Sequence, residues 1–165
     1  MKLQRLLRHI VTPAWWVRRR FSAADRKAIE AAIAASESRH RGELRFVAEG
    51  PLHPWLVLRG LSPRQRAVDL FGTLRVWDTE ENSGILIYVQ LVDRKVDILA
   101  DRGIAARVPQ AEWDTLCRSL EQAFKAGSYR QGVLAALERA TVLLHTHFPA
   151  APGNANELPD APLIL

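Results

Sequence analysis

The sequence predicts a single α/β domain, a compact α/β/α sandwich with a small mixed sheet of three to four strands and helices on both faces. Three observations predict this class. Short apolar runs with strand periodicity alternate with segments of helical periodicity, and the order from the first strand is β-α-β-β-α-α. The helical segments are long enough to cover both faces of a sheet. The 165 residues, 48% hydrophobic and 25% charged, suffice for one core.

The first elements of the domain are a helix and a strand. Ser22 and Asp25 have the spacing of a capping box, which predicts a helix over about residues 23–40 that ends at Gly42. Residues 43–49 then alternate between apolar and polar side chains with period two. This alternation predicts a strand with one buried face.

The middle of the chain supplies a second helix and a hairpin. Residues 51–61 mix Pro, His and Trp with a short apolar run, and an edge strand, a helical turn and a buried loop all remain open for them. Ser62 and Gln65 flank a proline in the pattern of a helix start. Residues 85–92 form an almost unbroken apolar run, typical of a central strand, and residues 95–101 return as the second arm of a hairpin.

Two helices complete the predicted domain. Pro109 opens the first, which Gly127 ends. Ser128 and Gln131 have the spacing of another capping box, and the helix that follows runs to Phe148. The sequence thus divides into a basic amphipathic segment (1–21), an α/β domain (22–148) and an extended Pro-rich tail (149–165).

The positive charge is concentrated at the N-terminus. The formal net charge is +5, yet residues 1–20 carry six basic residues and no acid, which leaves the other 145 residues at −1. A nucleic-acid-binding fold needs positive charge across its docking surface, so we expect no nucleic-acid partner. The one cysteine, Cys117, lies on an apolar helical stripe and is predicted to be a core residue, which fits a reducing compartment.

The N-terminal segment combines an apolar helical stripe with aromatic and basic residues. The stripe comprises Leu3, Leu6, Leu7, Ile10 and Val11, and a membrane-surface set follows it: Trp15, Trp16, Arg18, Arg19 and Arg20. Two interpretations stay open, docking on the domain and association with an anionic membrane surface.

Charged residues interrupt every apolar run of this segment, which argues against a signal peptide and against a spanning helix. We therefore expect a cytoplasmic protein, and the inner face of the membrane is the place where its surface association would occur.

One end of the predicted sheet collects polar residues. Strand polarity places the starts of the first and central strands and the end of the returning strand together, and these positions carry His40, Glu43, Asp78, Glu80, Glu81, Asn82, Asp101 and Arg102. Carboxylates with an amide favour a hard cation, which makes Glu43, Asp78, Glu81 and Asp101 candidate ligands of Ca²⁺ or Mg²⁺. Loop acids also cap helices, and that alternative stays open.

Three stretches resemble the TPM domain family: residues 78–89, the turn 93–96 and residues 100–104. The resemblance covers roughly residues 22–148, and the Asn-Glu-Leu-Pro-Asp segment 156–160 is similar to the end of a bacterial branch. Membership implies an α/β/α sandwich. Some members are described as acid phosphatases or calcium binders that use acids at the polar end, so the resemblance implies Asn82, Arg102 and Gly103 as a ligand- or phosphate-binding set.

Two positions depart from the family pattern. Ala105 stands where the family usually has Glu, and Gln110 stands where an acid often follows. The loss of two carboxylates lowers the charge available to a cation. The sequence therefore favours a non-catalytic binding module for a protein partner or the inner membrane surface. The alternative is a weak metal-dependent acid phosphatase that acts on phosphomonoesters, with acids holding the cation and Arg102 clamping the phosphate; no catalytic residue is assigned.

Overall fold

The computed structural model describes residues 2–152 and 156–165 and contains a four-stranded mixed sheet. Its strands are β1 (Leu44–Glu49), β2 (Ile85–Gln90), β3 (Lys95–Ala100) and β4 (Leu163–Ile164), in the spatial order β3-β2-β1-β4. β1 is parallel to β2 and to β4, and β2 is antiparallel to β3. The predicted crossover and hairpin are confirmed.

The register fixes two ends of the sheet. Ile85 pairs with both Leu44 and Ala100, so the starts of β1 and β2 and the end of β3 lie together. We call this the Asn82 end, after the loop that precedes β2. The opposite end carries the turn between β2 and β3, and we call it the hairpin end.

Helices cover both faces of the sheet, which confirms the predicted sandwich. They are α1 (Lys2–Val11), α2 (Trp15–Arg20), α3 (Ala23–Glu37), α4 (Pro54–Leu58), α5 (Pro63–Thr73), α6 (Arg102–Ala105), α7 (Gln110–Lys125) and α8 (Tyr129–His147). The larger core lies between the sheet and α2, α3, α7 and α8, and the smaller one lies between the sheet and α5. No helix in the described ranges is long and apolar enough to cross a membrane.

Two of the three predicted capping boxes are confirmed. The hydroxyls of Ser22 and Ser62 accept hydrogen bonds from the N–H groups of Asp25 and Gln65, whose side chains bond back. The third prediction is wrong, because the Ser128 side chain caps nothing. Its backbone has ψ 57°, whereas Ser22 and Ser62 are extended, so its hydroxyl is not directed at the third N–H of the helix.

The prediction that β1 has one exposed face is wrong, because all six of its residues are buried. The charged residues that produced the alternation are satisfied inside the protein. Arg45 donates to the carbonyl oxygens of Pro159 and Ala161, and Glu49 accepts a double hydrogen bond from Arg66. Polar side chains with buried partners are indistinguishable from solvent-facing ones in a sequence pattern.

Residues 51–61, for which three structures were open, contain the short helix α4. The imidazole Nδ1 of His53 accepts a hydrogen bond from the Trp55 N–H at 3.3 Å and caps the helix start. Cys117 packs against the larger core, as predicted, and burial raises the pKa of its thiol to about 11.

Both chain-terminal segments pack on the domain. Val17 and Phe21, within the predicted segment 1–21, belong to the larger core, where Phe21 makes edge contacts with Phe46, Phe124 and Tyr129. Residues 163–165 of the predicted tail form the outer edge of the sheet beside β1. Residue 1 and residues 153–155, which fall in these predicted segments, lie outside the described residues.

Candidate functional site

The loop before β2 is shaped by its own hydrogen bonds. The Thr79 hydroxyl accepts from the Ser83 N–H at 3.1 Å, and the Thr79 carbonyl accepts from the Asn82 N–H at 3.1 Å. Asn82 has φ 52°, in the left-handed region that asparagine tolerates better than most residues. The loop therefore presents a backbone carbonyl and a side-chain amide at the end of the sheet.

Gly103 fits closely against this loop. The Asn82 carbonyl accepts hydrogen bonds from the N–H groups of Gly103 at 2.9 Å and Ile104 at 3.3 Å. A Cβ at position 103 would lie 2.4 Å from the Glu81 carbonyl oxygen, so only glycine fits there. The Arg102 Nε donates to the Asn82 Oδ1 at 2.8 Å. The structure thus brings together the predicted set Asn82, Arg102 and Gly103, with its polar groups bonded to one another.

The predicted metal ligands Asp101 and Asp78 have separate surroundings. The Asp101 Oδ1 accepts a hydrogen bond from the Arg102 N–H at 2.7 Å and caps α6, while its Oδ2 is buried with no hydrogen-bond partner among the described residues. Asp78 is exposed and lies 3.9 Å from Arg75. One carboxylate oxygen of Asp101 is therefore buried at the Asn82 end without a hydrogen-bond partner among the described residues, whereas Asp78 faces solvent.

The other two predicted ligands bind protein groups. Glu81 forms an ion pair with Arg41. Glu43 is buried, and its carboxylate accepts hydrogen bonds from the N–H groups of Glu157 at 3.1 Å and Leu158 at 3.3 Å. Within residues 2–152 and 156–165, no three His, Cys, Asp or Glu side chains converge on a position that could hold a metal ion.

The tail brings further acids to the same end. Burial raises the pKa of Glu43 to about 7, and the nearby carboxylates of Glu157 and Asp160 add to this while the two backbone N–H groups oppose it. Burial and a hydrogen bond with Asp160 raise the pKa of Glu37 to about 8. The segment 156–160 carries a family resemblance in the sequence, but no local pattern predicts that it closes the Asn82 end.

The hairpin end is closed by α1, which turns its polar side chains inward. Arg5 donates two short hydrogen bonds to Asp93, with Nη2 2.7 Å from Oδ2. His9 is buried, with its Nδ1 accepting from the Leu52 N–H at 2.9 Å and its Nε2 3.2 Å from Asp93 Oδ1. Burial alone would raise the pKa of Asp93, but the hydrogen bonds from His9 and Arg5 outweigh it and hold the pKa at about 2.

The other side of α1 exposes four of the five residues of the predicted apolar stripe, whereas Leu6 is half-buried. Leu3 is 67% exposed and Val11 is 73% exposed, and Leu7 and Ile10 are also more than half exposed. Helix α4 packs against α1 and exposes two further large side chains. We call the whole set the outer apolar face: Leu3, Leu7, Ile10, Val11, Trp15, Trp55 and Leu58.

The two adjacent tryptophans differ in their surroundings. Trp15 is 58% exposed, whereas Trp16 packs against the larger core beneath the Arg20 guanidinium, which lies 5.0 Å from its ring centroid. Arg18 and Arg19 are exposed beside them. The structure therefore separates the predicted membrane-surface residues, because Trp15, Arg18 and Arg19 face outward and Trp16 supports Arg20.

Comparisons with known proteins agree with this fold. A family model described as the TPM domain matches residues 18–142. No curated protein sequence matches the chain. Among solved structures, the NMR structure of the BA42 protein from the psychrophilic bacterium Bizionia argentinensis is similar, with 30% identity and a TM-score of 0.77 over 88% of this chain and 95% of that one. The chain belongs to the TPM domain family.

Proposed function

We propose that this protein is a binding module that docks on an anionic membrane surface through the outer apolar face. The observation that carries the proposal is the orientation of α1. Its polar residues Arg5 and His9 fix the helix to the domain, whereas Leu3 and Leu7 are more than half exposed to solvent. A helix that only covered a core would be oriented the other way.

The exposed residues form a continuous apolar stripe on the helix. Leu3, Leu7 and Ile10 follow one another at intervals of four and three residues, which places them on one side of α1. Large exposed apolar patches on a globular protein mark surfaces that contact another phase or molecule. Burial of one such side chain contributes about 1.5–3 kcal/mol when complete, so partial insertion of several suffices for reversible attachment.

The charges near this face favour a lipid surface over an apolar protein partner. Arg8, Arg18 and Arg19 are exposed, and residues 1–20 contain no acid. A basic residue held close to an anionic bilayer contributes up to about 1 kcal/mol. Trp15 adds a ring of the kind enriched at membrane interfaces. A protein partner would need an acidic rim around an apolar groove, and it is an outcome of the test below.

The test is cosedimentation with vesicles. We expect binding to phosphatidylcholine vesicles that contain ~30% phosphatidylglycerol, with weaker binding as salt rises and little binding to pure phosphatidylcholine. The double variant Leu7→Ser with Trp15→Ala should bind at least about tenfold more weakly, because it removes two inserted side chains.

A matched control comes from α5 and the turn after it. Val68 and Trp77 are each 52% exposed outside the outer apolar face. The double variant Val68→Ser with Trp77→Ala should bind vesicles as the wild type does. Absence of binding by the wild type, or equal losses in both double variants, would overturn the proposal. If the wild type does not bind vesicles but self-associates, and the double variant Leu7→Ser with Trp15→Ala does not self-associate, the outer apolar face is assigned to a protein partner.

A metal-dependent phosphomonoesterase is the second candidate function. One observation favours it, the buried Asp101 Oδ2 without a hydrogen-bond partner among the described residues, beside Asn82 and Arg102. Calcium or magnesium would be its cofactor. The ion pair of Glu81 and the tail contacts of Glu43 leave few carboxylates for a cation, so the binding module ranks first.

A further inference from the structure

We propose that a cavity at the hairpin end binds a phosphomonoester group, a function that goes beyond membrane docking because it requires no bilayer. The cavity has a volume of about 290 Å³ and lies between α2, the turn that joins β2 to β3, and the facing ends of α7 and α8. Four cationic and two large aromatic side chains line it: Arg20, Arg94, Lys95, Lys125, Trp16 and Tyr129.

Arg20 is held in place by aromatic rings. Its guanidinium carbon lies 5.0 Å from the centroid of the Trp16 ring and 5.3 Å from that of the Tyr129 ring. Stacking uses the faces of the planar guanidinium and leaves the N–H groups on its edge available. Among the described residues, Arg20 has no hydrogen-bond or ion-pair partner for those groups. The cavity therefore contains a preorganised fork of donors suited to an oxyanion.

The other three cations of the cavity are compensated only in part. Lys95 lies 3.6 Å from Glu121, the only acid that lines the cavity, whereas Arg94 and Lys125 have no ionic partner in the described part of the chain. Four cations against one anion produce a positive potential, which an entering anion would neutralise.

The backbone of Arg94 has an unusual conformation. Its φ is 56°, a left-handed conformation that is strained for a residue other than glycine. The turn thus keeps an arginine at a position that glycine would occupy without strain. Such outliers concentrate at ligand-binding sites, and here the strained residue places a charged side chain at the cavity.

The chemistry of the walls favours a phosphate ester over a carboxylate or a peptide. Cations from three separate elements surround the space, which suits the three terminal oxygens of a phosphomonoester better than the two of a carboxylate. Phe124 and Val89 provide apolar wall for the carbon part of the ester. The volume admits a small molecule or a single headgroup and excludes a folded partner. A free phosphate ester and a lipid headgroup share this chemistry.

The experiment uses the whole protein and two sources of the same group. Glycerol 3-phosphate is titrated by calorimetry and by NMR, and vesicles containing phosphatidic acid are compared with vesicles containing phosphatidylglycerol, whose phosphate is a diester. Binding of glycerol 3-phosphate assigns the site to free esters. Preference for phosphatidic acid without binding of glycerol 3-phosphate assigns it to a lipid headgroup. Absence of both overturns the proposal.

The variant Arg94→Gly gives the sharpest readout. Glycine adopts φ 56° without strain, so the variant should melt at the same or a higher temperature than the wild type while it binds the phosphomonoester at least about tenfold more weakly. Arg20→Gln should weaken binding by a similar factor. The control is Arg59→Gln, because Arg59 also stacks on a tryptophan, 4.9 Å from the Trp55 ring centroid, but lies outside the cavity.

If Arg59→Gln weakens phosphomonoester binding as much as the cavity variants do, the ligand is attracted by the overall positive charge and not by the cavity, and the proposal is overturned. The double variant Leu7→Ser with Trp15→Ala should bind glycerol 3-phosphate as the wild type does. Failure of membrane docking and failure of the phosphate site are therefore distinguishable.

Discussion

The two ends of the sheet are closed by opposite ends of the chain, and the two closures use different chemistry. At the hairpin end, Val17 and Phe21 enter the core and the polar anchors of α1 face inward. At the Asn82 end, the tail is held mainly through its backbone, by Glu43 and Arg45. The first closure leaves leucines and arginines facing solvent, and the second uses buried charges as anchors.

This difference shows which end of the sheet has charged groups free for a ligand and which end uses its charged groups to hold the fold. Acidic residues at the Asn82 end attract attention in the sequence, yet Glu43 and Glu81 bind protein groups there. At the hairpin end, Arg20 and Arg94 have no such partners among the described residues. A cluster of charges indicates a ligand site only when those charges are not already compensated.

The largest effect on the free energy of unfolding is expected at the hairpin end, where the N-terminal segment packs apolar side chains into the core. Phe21→Ala should lower the free energy of unfolding by about 3–5 kcal/mol, because it removes a fully buried ring with three aromatic neighbours. Trp15→Ala, six residues earlier and exposed, should change it by less than about 0.5 kcal/mol. Urea denaturation measures both. Similar losses for the two variants would mean that the N-terminal segment packs differently.

A smaller effect is expected where the closure is polar. Arg45→Met keeps the length of the side chain but removes the donors to the Pro159 and Ala161 carbonyls. We expect a loss of about 1.5–3 kcal/mol, the range for hydrogen bonds to charged groups. Hydrogen exchange should accelerate selectively at the Leu165 N–H, which bonds to Ala48 at 3.0 Å. Unchanged protection there would show that Arg45 does not hold the tail.

The polar closure should also depend on pH. Burial raises the pKa of Glu43 to about 7, so folded Glu43 retains a proton at pH values where the unfolded chain has lost it. Its contribution to stability is therefore present at acidic pH and is lost as the pH rises through about 7. We expect stability to fall as the pH rises from about 4.5, the ordinary pKa of the unfolded chain, to about 7, and to level off above that, by about 1–3 kcal/mol for this residue.

The variant Glu43→Gln isolates that contribution. His40, whose pKa burial lowers to about 4, titrates in both proteins, and so does Glu37, whose pKa of about 8 owes least to Glu43 among its causes. Thermal denaturation over this pH range should give a flatter profile for the variant. Parallel profiles would show that Glu43 is ionised throughout.

The smallest signal is expected in an assay of phosphomonoester hydrolysis. Ala105 and Gln110 stand where the family resemblance implies carboxylates, and Glu43 and Glu81 are bound to protein groups. We expect little or no turnover of p-nitrophenyl phosphate with calcium, magnesium or manganese at acidic or neutral pH. A robust metal-dependent rate that Asp101→Asn abolishes would reverse the ranking of the two functions.

The sequence was sufficient to predict the sandwich, the parallel crossover and the hairpin, because strand runs and two capping boxes are local signals. It also predicted that the Asn82 loop lies at the same end of the sheet as the end of β3, since strand polarity fixes that end. The prediction of an exposed face on β1 was wrong because Arg45 and Glu49 bind partners in segments distant in the sequence. Local patterns do not contain such long-range pairings.

The orientation of α1 illustrates the same limit. Its leucine stripe was recognised, but whether the stripe faced the domain was decided by Arg5 and His9, which contact residues more than 40 positions away. The cavity at the hairpin end could not be predicted from the sequence either, because its lining comes from five elements, α2, β2, β3, α7 and α8, and from the turn between the two strands. The signal that the sequence offered was the clustering of basic residues at 18–20 and 94–95.

The two-residue strand β4 has a consequence for the behaviour of the protein in concentrated solution. It covers the outer edge of β1, and the Gly50 N–H adds a bond to the Leu165 carbonyl at 2.9 Å. Without residues 163–165, β1 would present a row of unpaired N–H and C=O groups along an apolar strand, the arrangement that promotes edge-to-edge aggregation and exchange of strands between molecules. The tail therefore protects β1 from pairing with another molecule. Conditions that weaken its contacts with Glu43 and Arg45 lower the highest concentration at which the protein remains free of aggregates.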